Sequence, residues 1–217
     1  VQVLATVGQA RHALADLRAP GGGICRPMTR VLTRQSPDAM AEAAASDTAI
    51  RAVKMKAGQG LELDRQAMGL IRDAVGDGVT LTLDANSAYT IDDGLALCRD
   101  AADAGAVFVE DPWPLSPDRA TADAVARSSV AIAADRLAAE RHLVDALIDS
   151  GIRWLAVKPN RVGPERAAAI AAQARRQGAT IVSGLFGEGP LGALQQLRGI
   201  EADTPVEAGH FLDLEDP

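Results

Sequence analysis

The sequence predicts an α/β protein whose parallel strands close into a barrel. Three observations lead there. Strand-like and helix-like segments alternate from residue 28 onward, which calls for parallel strands joined by right-handed crossovers. The strand segments are short apolar runs rather than clean alternations, as expected of strands covered on both faces. Eight such segments are present, a number that favours closure over an open, doubly wound sheet. No GxGxxG follows the first strand, so the dinucleotide-binding version of that open sheet has little support.

The elements follow in order. "MTRVLT" (28–33) is the first strand, and "SPDAMAEAAAS" (36–46), the weakest of the helices, must serve as the first crossover. "IRAVKMK" (50–56) is the second strand. The helix after it, "LELDRQAMGLIRDAVGDG", sets Met68, Ile71 and Val75 on one apolar stripe and stops at glycine. "VTLTLDA" (79–85) leads to "TIDDGLALCRDAADAG", where Thr90 and Asp93 have capping-box spacing. "AVFVED" (106–111) leads to "SPDRATADAVARSS", with Ser116 expected as the cap and Pro117 in the first turn. "VAIAAD" (130–135), "IRWLAVK" (152–158), "ATIVSG" (179–184) and "VEAGHFL" (206–212) are the remaining strands. "AAERHLVDALIDSG", "PERAAAIAAQARRQG" and "GPLGALQQLRG" fill the gaps between them. Residues 1–27 stand apart as a short helix and a glycine-rich break.

Composition narrows the function. The chain has 217 residues, enough for one barrel core, and a net charge of −7. That charge argues against a nucleic-acid surface, which needs clustered basic residues. No apolar run approaches the roughly 20 residues that span a bilayer. Cys25 and Cys98 have neither metal nor redox spacing and suit a reducing cytoplasm. His12, His142 and His210 lack ligand spacing and read as surface or core residues.

Chemistry in a parallel barrel gathers where the strands end. The second strand ends in Lys54-Met55-Lys56, the third in Asp84-Ala85-Asn86, the fourth in Glu110-Asp111, the fifth in Asp135 and the sixth in Lys158. Three successive strands carry a carboxylate, and a lysine-bearing strand flanks them on each side. Carboxylates converging at one mouth repel, and a hard divalent cation such as Mg²⁺ relieves that repulsion through oxygen ligands. Beside such an ion and a second cation, an amine loses its proton more readily. Lys56 or Lys158 is then a candidate general base, with Lys54 in support. The substrate implied is a small carboxylate that loses a proton next to its carboxyl group.

The motifs "VKMKAG", "LDANSAY", "VEDPWP", "IAADRL" and "VKPNRVGP", recurring at intervals of 23 to 28 positions, resemble the muconate-lactonizing-enzyme subgroup of the enolase superfamily. The resemblance implies a (β/α)7β TIM-like barrel of the enolase C-terminal type over residues 28–217. It implies Mg²⁺, or Mn²⁺ in its place, on Asp84, Glu110 and Asp135. It makes Lys56 and Lys158 the acid/base pair and Lys54 their electrostatic support. Racemisation, epimerisation, cycloisomerisation and the syn-dehydration of o-succinylbenzoate synthases are the reactions implied. Ser183 and Lys158 stand where the mandelate-racemase subgroup has His and Asp. "SGLFGEGPLGALQQL" resembles the substrate-lining segment of synthases and racemases, which adds Ser183, Gly184 and Glu188 as substrate contacts. Asn86 is added as a residue near the mouth. Two departures stand out: Asp135-Arg136 where Asp-Glu is usual, and Gly163-Pro164 where two glycines are usual. "VGQARHALADL" is similar to the linker helix of a capping domain that is otherwise largely missing, so residues 1–27 are expected to be its remnant. A barrel that binds metal or a partner without turnover is the alternative. A homo-oligomer in the cytoplasm, without membrane or nucleic-acid partners, completes the expectation.

Overall fold

The computed structural model describes residues 28–46, 50–184, 186 and 206–207. Its strands are β1 (Met28–Leu32), β2 (Ala52–Lys56), β3 (Thr80–Asp84), β4 (Ala106–Glu110), β5 (Ala131–Ala134), β6 (Trp154–Val157), β7 (Thr180–Ser183) and β8 (Val206–Glu207). Its helices are α1 (Pro37–Ala45), α2 (Leu61–Val75), α3 (Ile91–Asp103), α4 (Arg119–Arg127), α5 (Val144–Asp149), α6 (Pro159–Val162) and α7 (Pro164–Arg176). The strands make one parallel sheet in the order β7-β6-β5-β4-β3-β2-β1-β8. The sheet curls on itself: a Cβ on Gly184, just past β7, would stand 3.4 Å from Glu207 Oε2 on β8. This is the parallel, strand-helix-alternating barrel architecture that the sequence predicts. The expected helix at 189–199, the segment 1–27, Cys25, His12, His210 and Glu188 lie outside the described residues.

Strand alternation separates two apolar layers. Outward residues such as Val53, Met55, Leu83, Val109, Leu155 and Ile181 pack under the helices in the larger core. Met40 of α1, Met68 and Ile71 of α2 and Ile170 of α7 meet them there, each at most 1 % exposed. Fully burying a side chain of this size contributes about 1.5–3 kcal/mol. The inward layer is slimmer. Phe108, Ala133, Ala156 and Val182 fill the barrel, with Trp154 tilted against Phe108 at 5.0 Å.

The helix ends show how local sequence sets the crossovers. Ser36 caps α1 by accepting from the Ala39 amide at 3.3 Å, so the weakest of the expected helices forms. Thr90 Oγ1 accepts from the Asp93 amide at 3.2 Å and donates to the Asp93 carboxylate at 2.9 Å. Thr90→Ala therefore lowers the unfolding free energy by about 1 kcal/mol, read as a shift in a urea denaturation curve. The cap of α4 is Asp118, not the expected Ser116. Asp118 accepts from the Thr121 amide at 2.8 Å, whereas the Ser116 amide is itself taken by Thr121 Oγ1 at 3.2 Å. The segment 138–151 is not one helix: two 3₁₀ turns, Leu137–Ala139 and Arg141–Leu143, precede α5. The extra turn α6 follows Lys158 directly, and Pro159 at its first position suits that start.

Candidate active site

Register brings the expected residues to one level. Lys56 pairs with Asp84 across β2 and β3, and Asp84 with Glu110 across β3 and β4. Asp135 and Lys158 each follow the last residue of their strands. Charged groups then alternate around the mouth. Lys56 Nζ lies 2.5 Å from Asp84 Oδ2. Lys54 Nζ lies 3.6 Å from the same oxygen, 2.6 Å from Glu110 Oε2 and 2.6 Å from Glu207 Oε1. Lys158 Nζ lies 3.8 Å from Glu110 Oε1 and 2.8 Å from Asp135 Oδ2. The Arg161 guanidinium forks onto Asp135, with Nη1 2.8 Å from Oδ1 and Nη2 3.0 Å from Oδ2.

Burial makes these contacts strong. Lys54, Asp84 and Glu110 are at most 1 % exposed, Asp135 5 % and Lys158 7 %. Lys56 is the looser amine, with 28 % of its side chain exposed. Burial works against a charged Lys54, but Glu110, Glu207 and Asp84 outweigh it and hold the ammonium charged well above the usual lysine range. Burial also opposes an ionised Asp84, yet Lys54 and Lys56 hold it down at about 2. Asp135 is likewise lowered, because Lys158 and Arg161 overcome burial. Glu110 goes the other way. Burial, helped by Asp84 and Glu207, pushes it up to about 8 despite Lys54 and Lys158.

Among the described residues, no three His, Cys, Asp or Glu side chains stand close enough together to hold a metal ion as arranged. Ammonium groups are interleaved between the acids. The donor set nevertheless fits a hard divalent cation: three buried carboxylates, with oxygens to spare. Glu110 Oε1 is buried without a hydrogen bond, and Asp135 Oδ1 accepts none despite its ion-pair contact with Arg161. A cation taking these oxygens competes with the lysines and Arg161 for them.

The remaining candidates divide. Asn86 engages through its backbone: its amide donates to Asp84 Oδ1 at 2.9 Å, and its carbonyl accepts from Arg136 at 3.3 Å. Arg136 is exposed and bridges the ends of β3 and β5 rather than the acids. Ser183 is fully buried and shares the outward parity of Ile181, so it does not join the ring of charges. Gly184 does: an added Cβ there would collide with Lys158 Cε. Trp113 is fully buried and packs over Gly94, away from the mouth. His142 is exposed, and Cys98 is a buried free thiol.

Sequence reasoning missed four partners. Asp111 sits in left-handed backbone at φ 40° and accepts from the Asp135 amide at 3.1 Å and the Arg136 amide at 3.2 Å. Burial lifts its carboxyl to about 6 against those two bonds. It fixes the end of β5, and "VEDP" carries the signal only as a second acid beside Glu110. Arg161 is reached through the extra turn α6. Glu207 lies in the expected eighth strand, but it pairs with Lys54 across 153 positions. Asp64, fully buried on α2, binds the loop after β2.

A sequence profile for the enolase C-terminal domain-like family matches residues 38–205. The chain belongs to the enolase C-terminal domain-like family. A mandelate racemase/muconate lactonizing family protein from Azoarcus sp. EbN1 is 29 % identical, with a TM-score of 0.76 over 86 % of this chain and 53 % of its own. A dipeptide epimerase from Cytophaga hutchinsonii, solved with Mg and the dipeptide D-Ala-L-Val, is 22 % identical, with a TM-score of 0.75 over 92 % of this chain and 57 % of its own. An N-succinyl Arg/Lys racemase from Bacillus cereus is 20 % identical, with a TM-score of 0.76 over 88 % of this chain and 54 % of its own. At these last two identities the likeness speaks for the fold. The enolase-type chain described here thus spans between 53 % and 57 % of these three proteins' lengths. A search of curated proteins finds no match. No helix among the described residues is long and apolar enough to cross a membrane.

Proposed function

We propose that this domain removes a proton α to a carboxylate, with Lys56 and Lys158 as the acid/base pair. Racemisation or epimerisation is the outcome favoured, with cycloisomerisation or syn-dehydration open to the same machinery. The observation that carries this reading is positional. β2 and β6 lie four places apart in an eight-strand order, so their amines face each other across the mouth, and the strands between them carry the three carboxylates. Two bases on opposite sides of one carbon can take a proton from one face and return it to the other. Asp84, Glu110 and Asp135 would hold Mg²⁺, which when bound stabilises the charge that develops on the substrate carboxylate.

The chain's own residues do the rest. Lys56, the more exposed amine, has room to reach a substrate above Asp84. Lys158 is braced by Asp135 and Glu110, and Gly184 leaves space for its side chain. Lys54 keeps the acids from repelling one another. Asp111 and Arg161 hold Asp135 in place.

The test is loss of the α-hydrogen NMR signal in D₂O. The probes are N-succinyl-arginine, N-succinyl-lysine and simple dipeptides, chosen from what the two racemase and epimerase relatives act on, together with a cyclohexadiene carboxylate. Exchange that needs Mg²⁺ and stops with EDTA is the expected result. Calorimetric Mg²⁺ binding with no exchange of any probe would replace this reading with that of a metal-binding barrel without turnover.

A further inference from the structure

We propose that Tyr89 and Asp64 form a clasp that positions Lys56 and leaves Lys158 unaffected. The inference rests on the acid/base roles proposed above. Tyr89 lies in the loop after β3, and Asp64 lies in the first turn of α2, so they join the loops that follow the strands of Asp84 and Lys56.

The clasp is built from four contacts. The Tyr89 hydroxyl donates to Asp64 Oδ2. The same carboxylate accepts from the Gly58 amide at 2.6 Å and the Gln59 amide at 3.3 Å. The Gly60 amide donates back to the Tyr89 hydroxyl at 3.2 Å. Three successive amides of the loop 58–60 are therefore satisfied by these two side chains. Asp64 is fully buried, so a carboxylate there without partners would be costly. The loop has no regular ladder of its own, and Gly58 and Gly60 take left-handed φ values of 98° and 109°. Other ties meet the same strand end. Arg34 Nε donates to the Ala57 carbonyl at 2.6 Å, and the Ala57 amide donates to the Asp84 carbonyl at 2.9 Å.

The two amines depend on this loop to different degrees. Lys56 ends β2 immediately before it, is partly exposed, and among the acids of the described residues pairs with Asp84 alone. Lys158 is buried, meets both Asp135 and Glu110, and sits across the barrel. Misplacing a reacting group by about 1 Å can slow a reaction 10²-fold. A loosened clasp therefore slows proton transfer on the face that Lys56 serves and spares the other.

Burial and the neighbouring Asp64 raise the Tyr89 hydroxyl above its ordinary range, and Tyr89 is the chain's single tyrosine, so tyrosinate absorbance reports on it alone. In Asp64→Asn that titration should fall back toward the ordinary value of 10.0.

The experiment compares the full chain with its Tyr89→Phe variant, and with Asp64→Asn as a second substitution. Exchange is followed for both enantiomers of N-succinyl-arginine, or of whichever racemisable probe named above the unsubstituted chain exchanges. The expected result is about tenfold or greater slowing for one enantiomer and less than about twofold change for the other. Equal slowing of both, or no change in either, overturns the proposal. Amide hydrogen exchange decides independently of turnover. Gly58, Gln59 and Gly60 should exchange about tenfold faster in Tyr89→Phe, while amides of β4 and β5 keep their rates. Unchanged rates at those three amides overturn the clasp. If the unsubstituted chain exchanges none of the probes named above, the acid/base reading fails, and the amide rates still rule on the clasp.

Discussion

Lys54→Met lowers the unfolding free energy by about 3–5 kcal/mol, the range seen when one partner of a buried ion pair is removed. Met fills much the same volume, so packing contributes little to the loss. What is lost is the ammonium shared by Asp84, Glu110 and Glu207, none of which is more than 5 % exposed. Three acids are then left with less positive charge in a place water does not reach. The pH dependence has a definite sign. Glu110 already stands at about 8 against an ordinary 4.5, and without Lys54 it rises further. A carboxyl raised on folding binds more protons in the native state than in the unfolded one, so its contribution falls as pH rises between the two values. The deficit of Lys54→Met is therefore larger at pH 9 than at pH 7, because only above about 8 does Glu110 of the parent ionise while that of the variant stays protonated. Urea denaturation in chelator-treated buffer at both pH values checks this, and a deficit that is equal at the two would refute the shared-ammonium account.

Lys158→Ala abolishes α-hydrogen exchange for one enantiomer of a racemisable probe, by roughly 10²–10⁴-fold, and spares the other. The asymmetry follows from β2 and β6 standing opposite each other. A single mobile base would serve both faces, and its removal would slow both. Stability should change little by comparison, because Asp135 keeps the Arg161 fork when the ammonium is gone. Chiral analysis of partly exchanged substrate separates the two faces. If both enantiomers keep exchanging in Lys158→Ala, the two-base proposal is wrong.

The strands were legible because their inward and outward faces are both covered, which leaves continuous apolar runs ending in charge. The ring of Lys56, Asp84, Glu110, Asp135 and Lys158 was legible for the same reason: each charge interrupts such a run at one repeat length. What stayed hidden is pairing at a distance. Tyr89 reads as a loop aromatic until Asp64 is found 25 positions away. Arg161 reads as a surface residue until the single turn of α6 swings it back onto Asp135. At α4, Ser116 and Asp118 both satisfy the capping preference, with Pro117 between them, and only the hydrogen bonds choose Asp118. Ser183 was set at the mouth by analogy of segment, whereas its parity in β7 turns it under the helices.

That parity has an evolutionary corollary. Val109 and Glu110 are neighbours in sequence, yet one is packed beneath a helix and the other faces the barrel axis. Point substitutions at inward positions can rewrite chemistry while leaving the packing beneath the helices in place, even where, as at Lys54, they cost stability. Deleting one residue inside β4 would instead exchange the two roles at once, driving an acid into the hydrocarbon layer and an aliphatic group into the mouth. Lineages built on this plan should accumulate length changes in the connections and tolerate almost none within a strand.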